Sequence, residues 1–195
     1  MSSDNSQTRT RILKATHDLL AAGEGEVVRM SDIAKRAGIS RQALYLHFKT
    51  RAELLVATTH YLDDLKGEEE RLVASRTAKT GTERLEAYIE AWGNYIPDIY
   101  GTVKALLDIR HKDEAAASAW DERMQDMKEG CEAAILALDR DGDLSENYTL
   151  EEATDLLWTL LSVRNWEHLT LECGWPQERY IAEMKVVARR LFVTD

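Results

Sequence analysis

MSDIAKRAGISRQALYLH, residues 30–47, places two short helix-forming runs on either side of Gly38. Ile33 and Leu44 are the apolar positions that can pack the two runs together. Ala34 must be small because the second helix crosses close above it, and Gly38 supplies the positive φ of the turn at no Cβ cost. Ile39 plugs the corner. This is the spacing of a helix-turn-helix. A helical hairpin bound for any core could carry the same Ala-x3-Gly-Ile pattern, so the decision rests on what surrounds it. Residues 9–51 hold nine bases (Arg9, Arg11, Lys14, Arg29, Lys35, Arg36, Arg41, Lys49, Arg51) against four acids, a net of +5. Residues 67–195 hold 15 bases and 27 acids, a net of −12, so the formal charge of −10 describes neither part. DNA is bound through local positive potential, because only bases near phosphates displace condensed counterions. A basic head with a polar-aromatic second helix therefore favours DNA.

That second helix would lie in the major groove with its N-terminal side chains on base edges. Arg41 suits guanine O6/N7, Gln42 suits adenine N6/N7, and Ala43 is small enough to sit against a thymine methyl. Tyr45, His47 and Lys49 carry donors that reach phosphates, which set register but read no sequence. The lesser alternative for Tyr45 and His47 is that they only pack or cap the hairpin. Phe48 reads as core, and Ser40 as the N-cap of the second helix.

The remainder reads as helix throughout. Two prolines and ten glycines in 195 residues are few for an all-β chain, and apolar residues recur at helical spacing. We expect an all-α protein of about nine helices: a disordered polar arm over 1–8, a three-helix DNA-binding domain over 9–50, and a helical body over 51–195. One helix should end near Gly23, and another should start after Thr50 and run on through Leu72. Pro97 should close or kink a helix that begins at Thr80, and a further one should follow with Ile99, Val103 and Leu107. Asp113 should cap the next. The capping box Thr149–Glu152 should open a helix to about Cys173, and Pro176 the last. No charged-then-apolar leader and no 18-residue apolar run is present, which points to the cytoplasm and away from a membrane.

AGISRQALYLHFKTRAELL, residues 37–55, resembles the N-terminal signature of the TetR family of bacterial transcriptional regulators, in which the helix-turn-helix ends in Leu-Tyr-x-His-Phe and runs into a long linking helix. The match at Leu44, Tyr45, His47, Phe48 and Glu53-Leu54 covers about residues 9–65. The resemblance implies a homodimer, a palindromic operator of double-stranded DNA, and a helical ligand-binding domain whose occupancy alters the spacing of two DNA-reading heads. It also places Arg41, Gln42, Tyr45, His47 and Lys49 at DNA-contacting positions. Three features depart from the family pattern. Arg29 stands where Ser or Thr usually caps the helix, leaving Ser31 as a shifted cap and Arg29 as a direct phosphate partner. Gln42 replaces a Gly or Ala. The loop Gly23–Val28 lacks the usual aromatic residue.

The body is less explicit. Tyr88, Trp92, Tyr95, Trp120, Trp158 and Trp166, with Arg110 and His111, would suit a pocket for a small, largely apolar effector, although aromatics at helical spacing are also simply core. The helix from Leu150 is apolar on more than one side. Leu156, Leu160 and Val163, with Tyr180, Val187 and Leu191 of the last helix, are candidates for a four-helix dimer interface; a helix buried in the monomer is the competing reading. Asp139, Asp141 and Asp143 lack the glycine and glutamate positions of a calcium loop. No cofactor, metal site or catalytic residue is expected, so an enzyme is disfavoured. The expected function is a ligand-responsive repressor; the alternative is a DNA-bound protein whose body docks a protein partner.

Overall fold

The computed structural model describes residues 2–22 and 27–194. Every regular element among them is helical: α1 (Ser2–Ala22), α2 (Met30–Arg36), α3 (Arg41–His47), α4 (Arg51–Leu65), α5 (Glu68–Arg76), α6 (Gly81–Ile109), α7 (Glu114–Asp141), α8 (Leu150–Leu160), α9 (Val163–Glu167) with a π-helical turn over His168–Glu172, and α10 (Gln177–Phe192). Counting α8 and α9 as one broken rod gives the nine helices expected, and no strand is present among the described residues.

Four joints differ from the sequence expectation. Helix α1 starts at Ser2, so residues 2–8 belong to a helix rather than a disordered arm. Once a helical nucleus exists, each added residue gains a backbone bond, and polar side chains such as Asn5 and Gln7 stay in water. The helix end expected at Gly23, and most of the loop after it, lie outside the described residues. Helix α4 does not run on to Leu72, because Gly67 takes a left-handed φ of 64° and restarts the chain as α5. Helix α6 passes through Pro97 without a break. Proline removes the N–H that would bond the Gly93 carbonyl, and the Gln177 side chain donates to that carbonyl instead, at 2.7 Å. The last difference is a break between α8 and α9, where Ser162 turns extended and caps the next helix through Asn165 N.

The other caps behave as the sequence implies. Ser40, Thr50, Thr80 and Thr149 each accept a backbone N–H three residues on, and Glu152 answers Thr149 to complete a capping box. Asp113 accepts from Ala116 N at 3.1 Å at the start of α7. The acidic end of α7 has a structural use: Asp141, its last residue, accepts from Gly81 N at the start of α6.

The chain divides into two compact units. The first comprises Met1–Lys66 and Ile99–Met124. Its core joins Ile12, Leu20, Ile33, Leu44, Phe48, Leu54 and Leu55 to Leu106, Ile109, Ala116 and Ala119. Two ion pairs, Arg51–Asp113 and the buried Asp63–Arg123, and a hydrogen bond between His60 and Glu122 run along α4 and the start of α7. His17 of α1 bonds Thr102 of α6 at 2.8 Å, and burial holds its pKa below the ordinary value. The second unit comprises Gly67–Asp98 and Gln125–Asp195. Leu85, Ile89, Ile96, Cys131, Ile135, Leu138, Leu157, Leu161 and Phe192 are fully buried there.

Candidate nucleic-acid interface

The turn between α2 and α3 is built as its residues dictate. Ile33 and Leu44 are fully buried, Ala34 is 3% exposed, and Gly38 has φ 67°. The Ile39 N–H closes onto the Ala34 carbonyl at 3.0 Å, while the Gly38 N–H reaches Lys35 O at 3.2 Å, a left-handed helix stop. Ser40 then opens α3 by accepting from Ala43 N at 3.0 Å, so its hydroxyl oxygen serves as the cap. The far end of α3 is also fixed. Arg9 donates to the His47 carbonyl and lays its guanidinium 4.2 Å from the centre of the Phe48 ring. A helix of seven residues is thus held at both ends by groups outside it.

With about 100° between successive residues, Arg41, Gln42, Tyr45 and Leu46 fall on one arc of about 140°. All four are exposed, Tyr45 at 38% and Leu46 at 84%. The Arg41 guanidinium lies 5.7 Å from the Tyr45 ring, which holds the two side chains together on that face. Ala43 and His47 lie off the arc and are half-buried. Lys49 is exposed just beyond the helix. Arg29 is the N-cap of α2, exposed and without a side-chain cap bond. Ser31 lies inside the first turn rather than at the cap, so the shifted cap expected there does not form; the helix starts earlier, at Met30, than the sequence suggests.

Not every base of the head faces outward. Arg51 is 17% exposed and donates to the Val28 carbonyl and to Asp113. Lys14 and Arg36 both bind Asp18. Burial works against the Asp18 carboxylate, but hydrogen bonds from Lys14 and Arg36 outweigh it and keep its pKa below the ordinary value. Arg9, Arg11, Arg29, Lys35, Arg41 and Lys49 carry no acid partner among the described residues and are exposed. They form the electrostatic footprint available to phosphates. The roles of Arg9 and Arg51 are not readable in sequence, because both depend on partners far along the chain.

The residues expected to line an effector pocket fall into two groups. Tyr88, Trp92, Tyr95, Trp158 and Trp166 belong to the second unit; Arg110, His111 and Trp120 belong to the first. The Tyr88 hydroxyl donates to Met127 O, the Trp92 indole to Leu161 O, and the Trp166 indole to Gln177. Tyr95 lies under the Arg71 guanidinium, 3.6 Å from the ring centre. Polar tips satisfied by the protein are what core aromatics need. Trp158 is half-buried beside Lys128, Arg110 faces the Trp120 ring at 5.5 Å, and His111 is exposed. A groove of about 420 Å³ opens elsewhere in the second unit, with Lys128, Glu132, Leu136, Leu150 and Thr154 in its walls.

Two expected interface residues are corrected. Val163 is 2% exposed and Tyr180 is fully buried, so neither offers surface to a partner. The turn at Ser162 resets the helical phase, and Val163 no longer continues the stripe of α8. Leu156 is 40% exposed, and Leu160, Val187 and Leu191 are half-buried. Leu150 and Val186 add exposed apolar surface on α8 and α10. No described helix is long and apolar enough to cross a membrane.

Residues 12–58 match the family model of the bacterial regulatory proteins, tetR family. The HTH-type transcriptional activator FasR of Mycolicibacterium smegmatis is 31% identical over 91 residues, 46% of this chain and 41% of that protein. The matched stretch spans less than half the length of each curated relative it aligns with. Among solved structures, a TetR-family transcriptional regulator from Rhodococcus sp. superposes with a TM-score of 0.74 at 21% identity, covering 95% of this chain and 98% of that one. NalD, the secondary repressor of the MexAB-OprM multidrug efflux pump in Pseudomonas aeruginosa, gives 0.70 at 20% identity, covering 98% and 99%. Residues 12–58 thus carry the DNA-binding domain of the tetR family, and the chain as a whole has the fold of these solved structures.

Proposed function

We propose that the chain is a ligand-responsive transcriptional repressor that binds a palindromic operator as a homodimer in the cytoplasm and is released by a small, largely apolar effector. The observation that carries the DNA reading is the exposed face of α3, with Arg41, Gln42 and Tyr45 presented by a helix capped at Ser40 and held at His47 by Arg9. Arg41 and Gln42 have the donors to read guanine and adenine edges. In this reading Tyr45, Lys49 and Arg29 bind phosphates, and Ser40 acts through the cap. Ala43 and His47, half-buried, serve mainly to seat the helix. A dimer is supported by the exposed apolar side chains Leu150 and Leu156 on α8 and Val186 on α10. The effector must bind the two conformations of the dimer with different affinity, or it shifts nothing. Repression is proposed by likeness to NalD; FasR carries the opposite sign, and a reporter fused to the chain's own upstream DNA decides between them.

The test is a mobility shift on that upstream DNA with the wild type and the Arg41→Ala, Gln42→Ala double variant. The variant should lose sequence preference while keeping salt-dependent non-specific binding, because the phosphate-facing bases remain. Specific binding that survives the double substitution overturns this placement of the recognition helix.

A further inference from the structure

We infer that Leu46 is a specificity-determining residue, reading thymine through its 5-methyl group. The inference rests on the DNA-binding reading above and goes past it to a residue that carries no donor or acceptor. Leu46 is 84% exposed, the most exposed of the large apolar side chains among the described residues. It lies on the same arc of α3 as Arg41, Gln42 and Tyr45, one turn beyond Gln42. The rest of the helix obeys ordinary burial, with Leu44 fully buried and Phe48 behind it fully buried. The exposure is therefore confined to the face that the exposed bases surround.

A leucine cannot bind phosphate, and no polar base edge gains from it. The apolar group that the major groove offers is the thymine C5-methyl, present in A·T pairs and absent from G·C pairs. Gln42 stands about 5–6 Å away on the helix and has the bidentate amide that suits adenine. The two together describe a reader of A·T pairs: Gln42 on an adenine, Leu46 on the methyl of a thymine in the same or the neighbouring pair. Ala43 is the smaller apolar side chain of this helix, but it is half-buried and lies off the exposed arc, so its methyl reaches less far than that of Leu46. Charge on the protein side complements this placement, since Arg41 and Lys49 flank Leu46 along the chain and are free of acid partners among the described residues.

The test uses the full chain and the duplex that it protects in a footprint of its upstream DNA. Each thymine of one half-site is replaced in turn by deoxyuridine, which keeps the hydrogen bonds and removes only the methyl. Dissociation constants are measured at fixed salt for the wild type, Leu46→Ala and Leu46→Met. At one or two thymines, uracil should weaken the wild type about fourfold, the effect of exposing one methyl-sized group. Leu46→Ala should bind thymine and uracil duplexes alike at those positions, and Leu46→Met should keep the discrimination. A uracil series in which no position responds to residue 46 overturns the inference. So does a Leu46→Ala variant that weakens on every duplex by the same factor, because that marks a packing role without base reading. A wild type that gives no footprint overturns the DNA reading itself, and is distinguished because no uracil series can then be drawn.

Discussion

Replacing Gln177 by leucine should destabilise the protein by an amount that depends on residue 97, eighty positions away in sequence. The Gln177 amide donates to the Gly93 carbonyl at 2.7 Å, and its oxygen accepts from the Trp166 indole at 2.8 Å. Gly93 needs that donor because Pro97 has no N–H to continue the helical ladder. Leucine fills similar space but removes both bonds. Each buried polar group left without its partner costs about 1–3 kcal/mol, and these two sites are only partly buried, so about 2–3 kcal/mol in total is expected. In a Pro97→Ala background the peptide N–H at 97 returns and bonds Gly93 itself. The same Gln177→Leu change should then cost about 1 kcal/mol less. Pro97→Ala alone should raise stability, because alanine is the better helix former. Urea unfolding of the four proteins gives the coupling directly, and it cancels any effect of proline on the unfolded chain. If Gln177→Leu costs the same in both backgrounds, to within about 0.5 kcal/mol, Gln177 does not stand in for the missing helical bond.

Ser40→Ala should lower stability by about 1 kcal/mol by freeing the Ala43 N–H, and should weaken the proposed operator binding because α3 frays at the end carrying Arg41 and Gln42; circular dichroism melts and anisotropy titrations check both. Gly81→Ala should be more damaging than an ordinary helix-start substitution, since a Cβ there would lie 2.5 Å from Leu138 N and 2.6 Å from Ala137 O, backbone atoms that cannot rotate away; the midpoint of thermal unfolding should fall by several degrees. Cys131 is fully buried, and burial pushes its thiol up to about 12, against a weaker opposing interaction with the Tyr88 side chain. A thiol reagent at neutral pH should therefore titrate Cys173 alone in the native protein and both cysteines in denaturant. The folded state also holds the Cys131 proton where the unfolded chain has lost it, so this group's contribution to stability should decline as pH rises from about 9 towards 12.

The head was legible because its information is local. Gly38 sets its own φ, Ser40 and Thr50 cap helices that begin one residue later, and the spacing of Ile33, Ala34 and Leu44 needs only the 3.6-residue period to be interpreted. The same period would have placed Leu46 beside Arg41 and Gln42, but an apolar residue among polar ones is read by default as core, and only its exposure in the fold removes that reading. The body was legible as helix and little more. Its aromatics have the right chemistry for a pocket, yet Tyr88, Trp92 and Trp166 each find a partner 11 to 69 residues away that no pattern announces.

By itself the sequence determined an all-helical chain, the turn at Gly38, most helix caps, and a basic head on an acidic body, since propensity, capping and charge act within a few residues. Tertiary structure decided which breaks survive. Pro97 continues a helix because Gln177 replaces its lost bond, and Gly67 and Ser162 divide helices that periodicity alone would join. It also decided which bases are paired with acids: Arg51, Lys14 and Arg36 are held by Asp113 and Asp18, and Arg41 is left exposed. The physical reason is the same in each case. A carbonyl, a carboxylate or a guanidinium responds to whatever the fold brings within about 3 Å of it, and that distance is set by the packing of the chain and not by separation along it.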